Sequence, residues 1–142
     1  MAVYVLAASV LAALYVDDPA SAESEALLAR RAPGRDEVHA PDFMLIEVAN
    51  VLWKRGRRGE LVAADAMTAI ADCSAAAIRS HPAGALARPA LGLALAHGLT
   101  AYDATYVAPA AAIGGVVVSN DATLRRRAAE AGLPVAGPAE VA

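Results

Sequence analysis

At 142 residues, 58% hydrophobic, 19% charged and with a mean hydropathy of +0.44, the chain has the length of one domain and enough apolar surface for a full core, which excludes a disordered polypeptide. Twelve Lys and Arg against fifteen Asp and Glu leave a net charge of −3, so the chain lacks the global positive field of a protein that coats nucleic acid, and any such contact has to be local. The single cysteine, Cys73, allows no internal disulfide and no thiolate zinc site, which fits a reducing cytoplasm.

The apolar opening, residues 1–16, has no charged start, the first basic residue being Arg30, and it is short for a bilayer span. A second uncharged run, residues 104–120, is interrupted by Pro109 and the pair Gly114 and Gly115, so neither run is expected to cross a membrane. Residues 3–6, Val-Tyr-Val-Leu, are apolar without alternation, the pattern of a strand covered on both faces. Asp18 and Pro19 then read as cap and first residue of a helix carrying Ala22, Ala26, Leu27 and Ala29 as far as Pro33 and Gly34. A short strand is predicted near residues 37–40, and Phe43, Leu45, Val48, Val51 and Leu52 repeat at helical spacing up to Gly56. An alanine-rich helix over residues 61–78 follows, with Asp65 and Asp72 on its wet side and Cys73 as a small core residue.

His81 and Pro82 mark a turn, and the apolar stretch 86–96 ends at His97 and Gly98, a cation-capable residue before a helix-terminating glycine. Thr100 with Asp103 three residues on starts the next helix, which runs through Tyr106 and Val107 towards Gly114. Val116, Val117 and Val118 form the clearest strand. Ser119, Asn120 and Asp121 cap a last helix that holds Leu124 and Ala128 and closes at Gly132, and residues 133–136 add an edge strand. Alternating strands and helices predict an α/β fold with a mainly parallel sheet between helical layers, and no linker or repeat divides residues 1–142, which are expected to form one domain. His39 and His81 are read as loop residues, and the three histidines lack metal-ligand spacing.

Three acids are out of place in that plan. In an open parallel sheet, ligands bind beyond the carboxyl ends of the strands, and the strand at 116–118 leads there into Ser119 and Asp121, whereas the strand at 3–6 leads into Ala7, Ala8 and Ser9 without a charge. Glu47 has Phe43, Met44, Asn50 and Val51 as helical neighbours and no cation among them, so it is expected to face inward. Asp103 and Asp121 each serve equally as helix caps when taken alone. Taken together, three converging carboxylates would raise one another's pKa unless a divalent cation neutralised them, and hard oxygen donors suit Mg2+ or Mn2+. Such an ion activates water and stabilises charge on a phosphate, which points to a nuclease or another phosphoryl-transfer enzyme.

Four stretches carry a resemblance to a family: residues 3–10 (Val-Tyr-Val-Leu-Ala-Ala-Ser-Val), 40–52 (Ala-Pro-Asp-Phe-Met-Leu-Ile-Glu-Val-Ala-Asn-Val-Leu), 99–108 (Leu-Thr-Ala-Tyr-Asp-Ala-Thr-Tyr-Val-Ala) and 117–124 (Val-Val-Ser-Asn-Asp-Ala-Thr-Leu). Each is weak alone; in this order and spacing they resemble a PIN-domain ribonuclease, and within that superfamily the VapC-like toxin of a VapBC toxin–antitoxin pair. The resemblance covers nearly the whole chain. It implies a PIN-like three-layer α/β/α sandwich, a Mg2+ or Mn2+ site on Glu47, Asp103 and Asp121, cleavage of RNA, homodimerisation and neutralisation by a small VapB-like antitoxin. Ser9 and Ser119 match supporting positions.

The resemblance also implies an aspartate where this chain has Ala7. Loss of that carboxylate predicts impaired metal affinity and turnover. It reads either as a deliberate Asp→Ala exchange, favoured because the rest of the site is intact, or as natural decay. Arg55, Arg57 and Arg58, with Arg125, Arg126 and Arg127, are candidates for holding substrate phosphates or are solvated helix ends. The rival reading is a non-catalytic PIN-like interaction module whose acids are only caps.

Overall fold

A computed structural model describes residues 2–14 and 36–141, with positions 22 and 25 between them. Apart from positions 22 and 25, the expected helix at residues 18–33 lies outside the described residues. In chain order the elements are β1 (Val3–Leu6), α1 (Ala8–Ala12), β2 (Glu37–Pro41), α2 (Met44–Arg57), α3 (Ala63–Ala75), β3 (Arg79–His81), α4 (Ala83–His97), α5 (Ala101–Ile113), β4 (Val116–Val118), α6 (Ala122–Ala131), β5 (Val135–Ala136) and α7 (Pro138–Val141). All five strands join one parallel sheet in the order β3-β2-β1-β4-β5.

β1 is central because its side chains are apolar in both directions. Tyr4 and Leu6 enter one core with Val10, Leu11, Met44, Val48, Leu52, Ala69 and Cys73, while Val5 enters the opposite core with Tyr106, Val107, Ala110 and Leu124. β4 divides in the same way, Val118 joining the first core and Val117 the second. Helices therefore cover both faces, the arrangement expected of an all-parallel sheet. Gly115 is required where β4 begins beside β1, since a Cβ there would stand 2.8 Å from the Val3 carbonyl oxygen.

In α5 residues 104–110 are all buried, so no polar face runs along its middle, and the helix continues through Pro109 to a left-handed Gly114 at φ 69°. The glycines after α4 and α6, Gly98 and Gly132, take the same conformation, as their positions predict. Among the described residues no helix is long and apolar enough to cross a membrane.

Three elements depart from the expectation. α1 starts directly after Ala7, because the Ala7 carbonyl accepts from the Val10 and Leu11 amides and folds the chain back at once. The helix expected over 61–78 is shorter, and residues 79–81 pair with β2, with His39 opposite Arg79 and Pro41 opposite His81. His39 and His81 are thus strand residues, not loop residues. Arg-Ser-His has no apolar signature, and its strand form comes from pairing with β2. The C-terminal turn α7 is the third; the Glu140 carboxylate accepts from the Gly137 amide to close it.

Candidate active site

In the strand order the chain leaves β1 towards β2 on one side and returns as β4 on the other, so the carboxyl ends of β1 and β4 flank the point where the winding reverses. A cleft of about 500 Å³ opens there. Its walls include Ala7 and Ser9 after β1, Glu47 from α2, Asp103 from the first turn of α5, Ser119 after β4 and Asp121 at the start of α6. All six positions singled out in the sequence therefore meet in one place.

Backbone and hydroxyl contacts lace the two strand ends together. The Ala7 amide donates to the Val118 carbonyl at 3.0 Å, and the Ser9 hydroxyl accepts from the Asn120 amide at 3.4 Å. Asn120 returns a bond from Nδ2 to the Ser9 carbonyl, and the buried Ser119 hydroxyl accepts from the Asp121 amide at 3.1 Å. Both serines thus support the cleft's backbone.

Asp121 is a helix cap as well as a cleft residue, and Asp103 stands in the first turn of a helix capped by Thr100. Thr100 Oγ1 accepts from the Asp103 amide at 3.1 Å. Asp121 Oδ1 accepts from the amides of Thr123 at 2.9 Å and Leu124 at 3.1 Å. Capping settles where Asp121 sits and does not spend its charge, since backbone N–H groups favour a carboxylate without neutralising it.

Glu47 is half-buried and is met by a phenol: the Tyr106 hydroxyl donates to Glu47 Oε1 at 2.9 Å. Burial pushes the Glu47 carboxyl above the usual carboxylate range, the tyrosine bond pulls it back, and the nearby Asp103 charge pushes it up again. Asp103 is raised in the same way, first by burial and then by Asp121, against the opposing pull of the Thr100 hydroxyl and the Arg127 charge. Burial in turn pushes the Tyr106 hydroxyl far above its ordinary value, so it stays a donor. A line of mutual repulsion runs from Glu47 through Asp103 to Asp121.

As a donor set these are hard oxygens with excess negative charge, which suits Mg2+ or Mn2+. Among the described residues, however, no three His, Cys, Asp or Glu side chains stand close enough together to make a ready ion site. Ala7, on the cleft wall, supplies a methyl group and no charge.

Three lining residues escaped the sequence reading in this role: Asn50, Lys54 and Tyr106. Asn50 and Lys54 stand one and two turns after Glu47 on α2, a spacing that places them on the same face. None of the six arginines singled out from the sequence lines the cleft. Arg55 pairs with Glu60 at 2.9 Å, Arg57 stacks over the Trp53 ring at 5.0 Å, Arg58 caps α2, and the Arg125 guanidinium fills the space where Gly137 has no side chain. Arg127 donates to the Gly98 carbonyl at 2.7 Å.

Two further features stand apart from this cleft. At the β2–β3 edge, His39 Nδ1 meets His81 Nε2 at 2.7 Å, His39 Nε2 meets Glu37 at 3.0 Å, and Arg79 pairs with Glu37 at 3.2 Å. Between α2 and α3, an apolar groove of about 460 Å³ is lined by Leu52, Trp53, Leu61, Met67 and Ile70, with Trp53 and Met67 exposed.

The family model described as PIN domain matches residues 4–130. A protein named Ribonuclease VapC3 from Pyrobaculum aerophilum is 38% identical over 125 residues, covering 87% of this chain and 92% of that protein. The crystal structure of PAE2754, also from Pyrobaculum aerophilum, superposes with a TM-score of 0.68 at 26% identity, over 89% of this chain and 79% of that one. The structure of VapBC-1 from nontypeable Haemophilus influenzae shares the fold with a TM-score of 0.64 at 12% identity, over 96% and 98% of the two chains.

Proposed function

The chain belongs to the PIN-domain family, and from that premise we propose that it is a VapC-type toxin built to hydrolyse RNA phosphodiesters with a divalent metal ion, impaired in this form by Ala7. The single observation that supports it most is the convergence of Glu47, Asp103 and Asp121 on one cleft, with the Glu47 and Asp103 carboxyls raised by burial and no cation paired to the three by a salt bridge among the described residues. A site of structural caps has no need to gather its acids in this way.

Glu47, Asp103 and Asp121 would hold Mg2+ or Mn2+, with an aspartate at position 7 completing the set in an active form. The chemistry supplied by the ion is activation of a water and neutralisation of phosphate charge. The rest falls to the protein's own groups. Tyr106 fixes Glu47 Oε1 and leaves the second carboxylate oxygen free to turn into the cleft. The two amides at the start of α6 hold Asp121 Oδ1 and orient Oδ2. Ser9, accepting from the Asn120 amide, ties the two strand ends together, and Ser119 holds the turn that leads into Asp121.

The partner we assign is a small VapB-like antitoxin, and the groove at Trp53 and Met67 is the apolar surface available to it. That assignment draws on VapBC-1, a toxin–antitoxin pair by name, which shares the fold. Leu91 and Leu95, exposed on α4, offer the surface for a homodimer, and the cytoplasm is the compartment that suits an RNA substrate and a lone thiol. The decisive experiment is Ala7→Asp. We expect that variant to cleave RNA in Mg2+ or Mn2+ and to lose the activity with EDTA. A revertant that stays inert with both metals, on total RNA, removes the nuclease reading and leaves the interaction module, which Ala7 and the loosely gathered acids otherwise favour.

A further inference from the structure

Lys54 is the only lysine in the chain, and α2 carries it into the acid cleft. It follows Glu47 by two helical turns, which puts both residues on one face of the helix, and both line the cleft. Among the described residues it is the one cation lining that cleft. Its neighbours on the helix are committed elsewhere, Arg55 to Glu60 and Arg57 to the Trp53 ring. Lys54 itself is exposed and makes no salt bridge with a described residue, not even with the carboxylates of its own cleft.

A lysine that shares a cleft with three carboxylates and is ion-paired to none of them is poorly explained as a structural counter-charge. It is better explained by a ligand that brings its own negative charge. A cleft lined by acids repels an incoming polyanion, and a metal ion held there would neutralise charge at the reacting phosphate alone, so the neighbouring phosphate needs a separate donor at the rim. A lysine, a compact point charge on a long flexible stem, suits a phosphate whose orientation is not fixed in advance.

We propose that Lys54 holds a backbone phosphate of the RNA next to the one that reacts, and so sets how the strand lies across the cleft. This rests on the RNA-cleaving reading above. The test uses the chain as it stands, with Ala7, so that binding is measured without turnover. A short labelled mixed-sequence single-stranded RNA is titrated with the protein in magnesium buffer over a range of potassium chloride, and bound fraction is read by fluorescence anisotropy.

We expect Lys54→Gln to bind severalfold more weakly and to lower the slope of log affinity against log salt by about 0.7, the share of one phosphate contact on a single strand. Lys54→Arg should keep most of the affinity, and Arg88→Gln on the exposed face of α4, which removes the same charge outside the cleft, should keep nearly all of it. A counter-charge role would change the thermal midpoint and leave the salt slope unmoved. Equal affinity and slope in Lys54→Gln and the parent overturns the assignment of Lys54 and leaves the nuclease reading standing. No binding by the parent chain in Mg2+ or Mn2+ counts against the RNA-substrate reading, and Lys54 falls with it.

Discussion

The acid cleft and the β2–β3 edge are both clusters of titratable groups on the same sheet, and they are built on opposite terms. At the edge every partner is present: Glu37 takes His39 on one side and Arg79 on the other, and His39 passes its second nitrogen to His81. Glu37 is accordingly held below the usual carboxylate range, chiefly by its bond to His39. In the cleft burial dominates, and Glu47 and Asp103 are both raised. Groups that satisfy one another tie strands together, while groups held near each other without a counter-charge wait for a ligand.

The largest effect that would sharpen this contrast is chemical. Ala7→Asp adds a fourth acid to the unsatisfied cluster and should raise metal-dependent RNA cleavage by roughly 100-fold or more, the scale on which partners of a metal site count. In that background Asp121→Asn should return the rate to the level of the parent chain. A gel-based cleavage assay with and without EDTA decides it.

Next comes stability at the edge. His39 is 8% exposed, so His39→Ala should cost about 1–3 kcal/mol in urea unfolding, because it leaves His81 and Glu37 without their shared partner. Asp103→Asn, which removes a charge from the repelling cluster, should cost much less or nothing. Equal losses at the two sites would erase the distinction.

The pH response should also run in opposite senses. His81 is lowered from 6.5, by burial and then by His39, so its share of stability is complete above pH 6.5 and is lost as pH falls towards its folded-state value; Glu37 adds a loss below pH 4.5. Glu47 and Asp103 carry raised values, so their penalty is absent below about pH 4 and grows as pH rises. Metal-free Glu47→Gln should therefore melt with the parent near pH 4 and about a degree or two above it at pH 8, a small shift because solvent screens a half-buried group. Thermal scans across pH would measure both arms, and a parent chain that stabilises on acidification from pH 7 to 5 would show that the edge does not govern.

Much of this was legible in order of sequence. Val3–Leu6 and Val116–Val118 announce buried parallel strands because every position is apolar, and Thr100, Asp121, Gly98, Gly114 and Gly132 mark helix ends through their backbone chemistry. Glu47 could be singled out by what surrounds it on its own helix. Those signals are local, and propensity and periodicity report them.

What stayed hidden depends on partners far apart in the chain. Arg79–His81 looks like a turn until β2 lies beside it, and Tyr106 looks like one more core aromatic until folding brings its hydroxyl across 59 residues to Glu47. Lys54 could have been suspected from its spacing, yet only the meeting of α2 with the ends of β1 and β4 makes that helix face the wall of a cleft. The sequence by itself determined the elements, their caps and the supply of acids. The tertiary structure decided which charges are answered and which are left over, because a carboxylate's state is set by the groups that reach it through space.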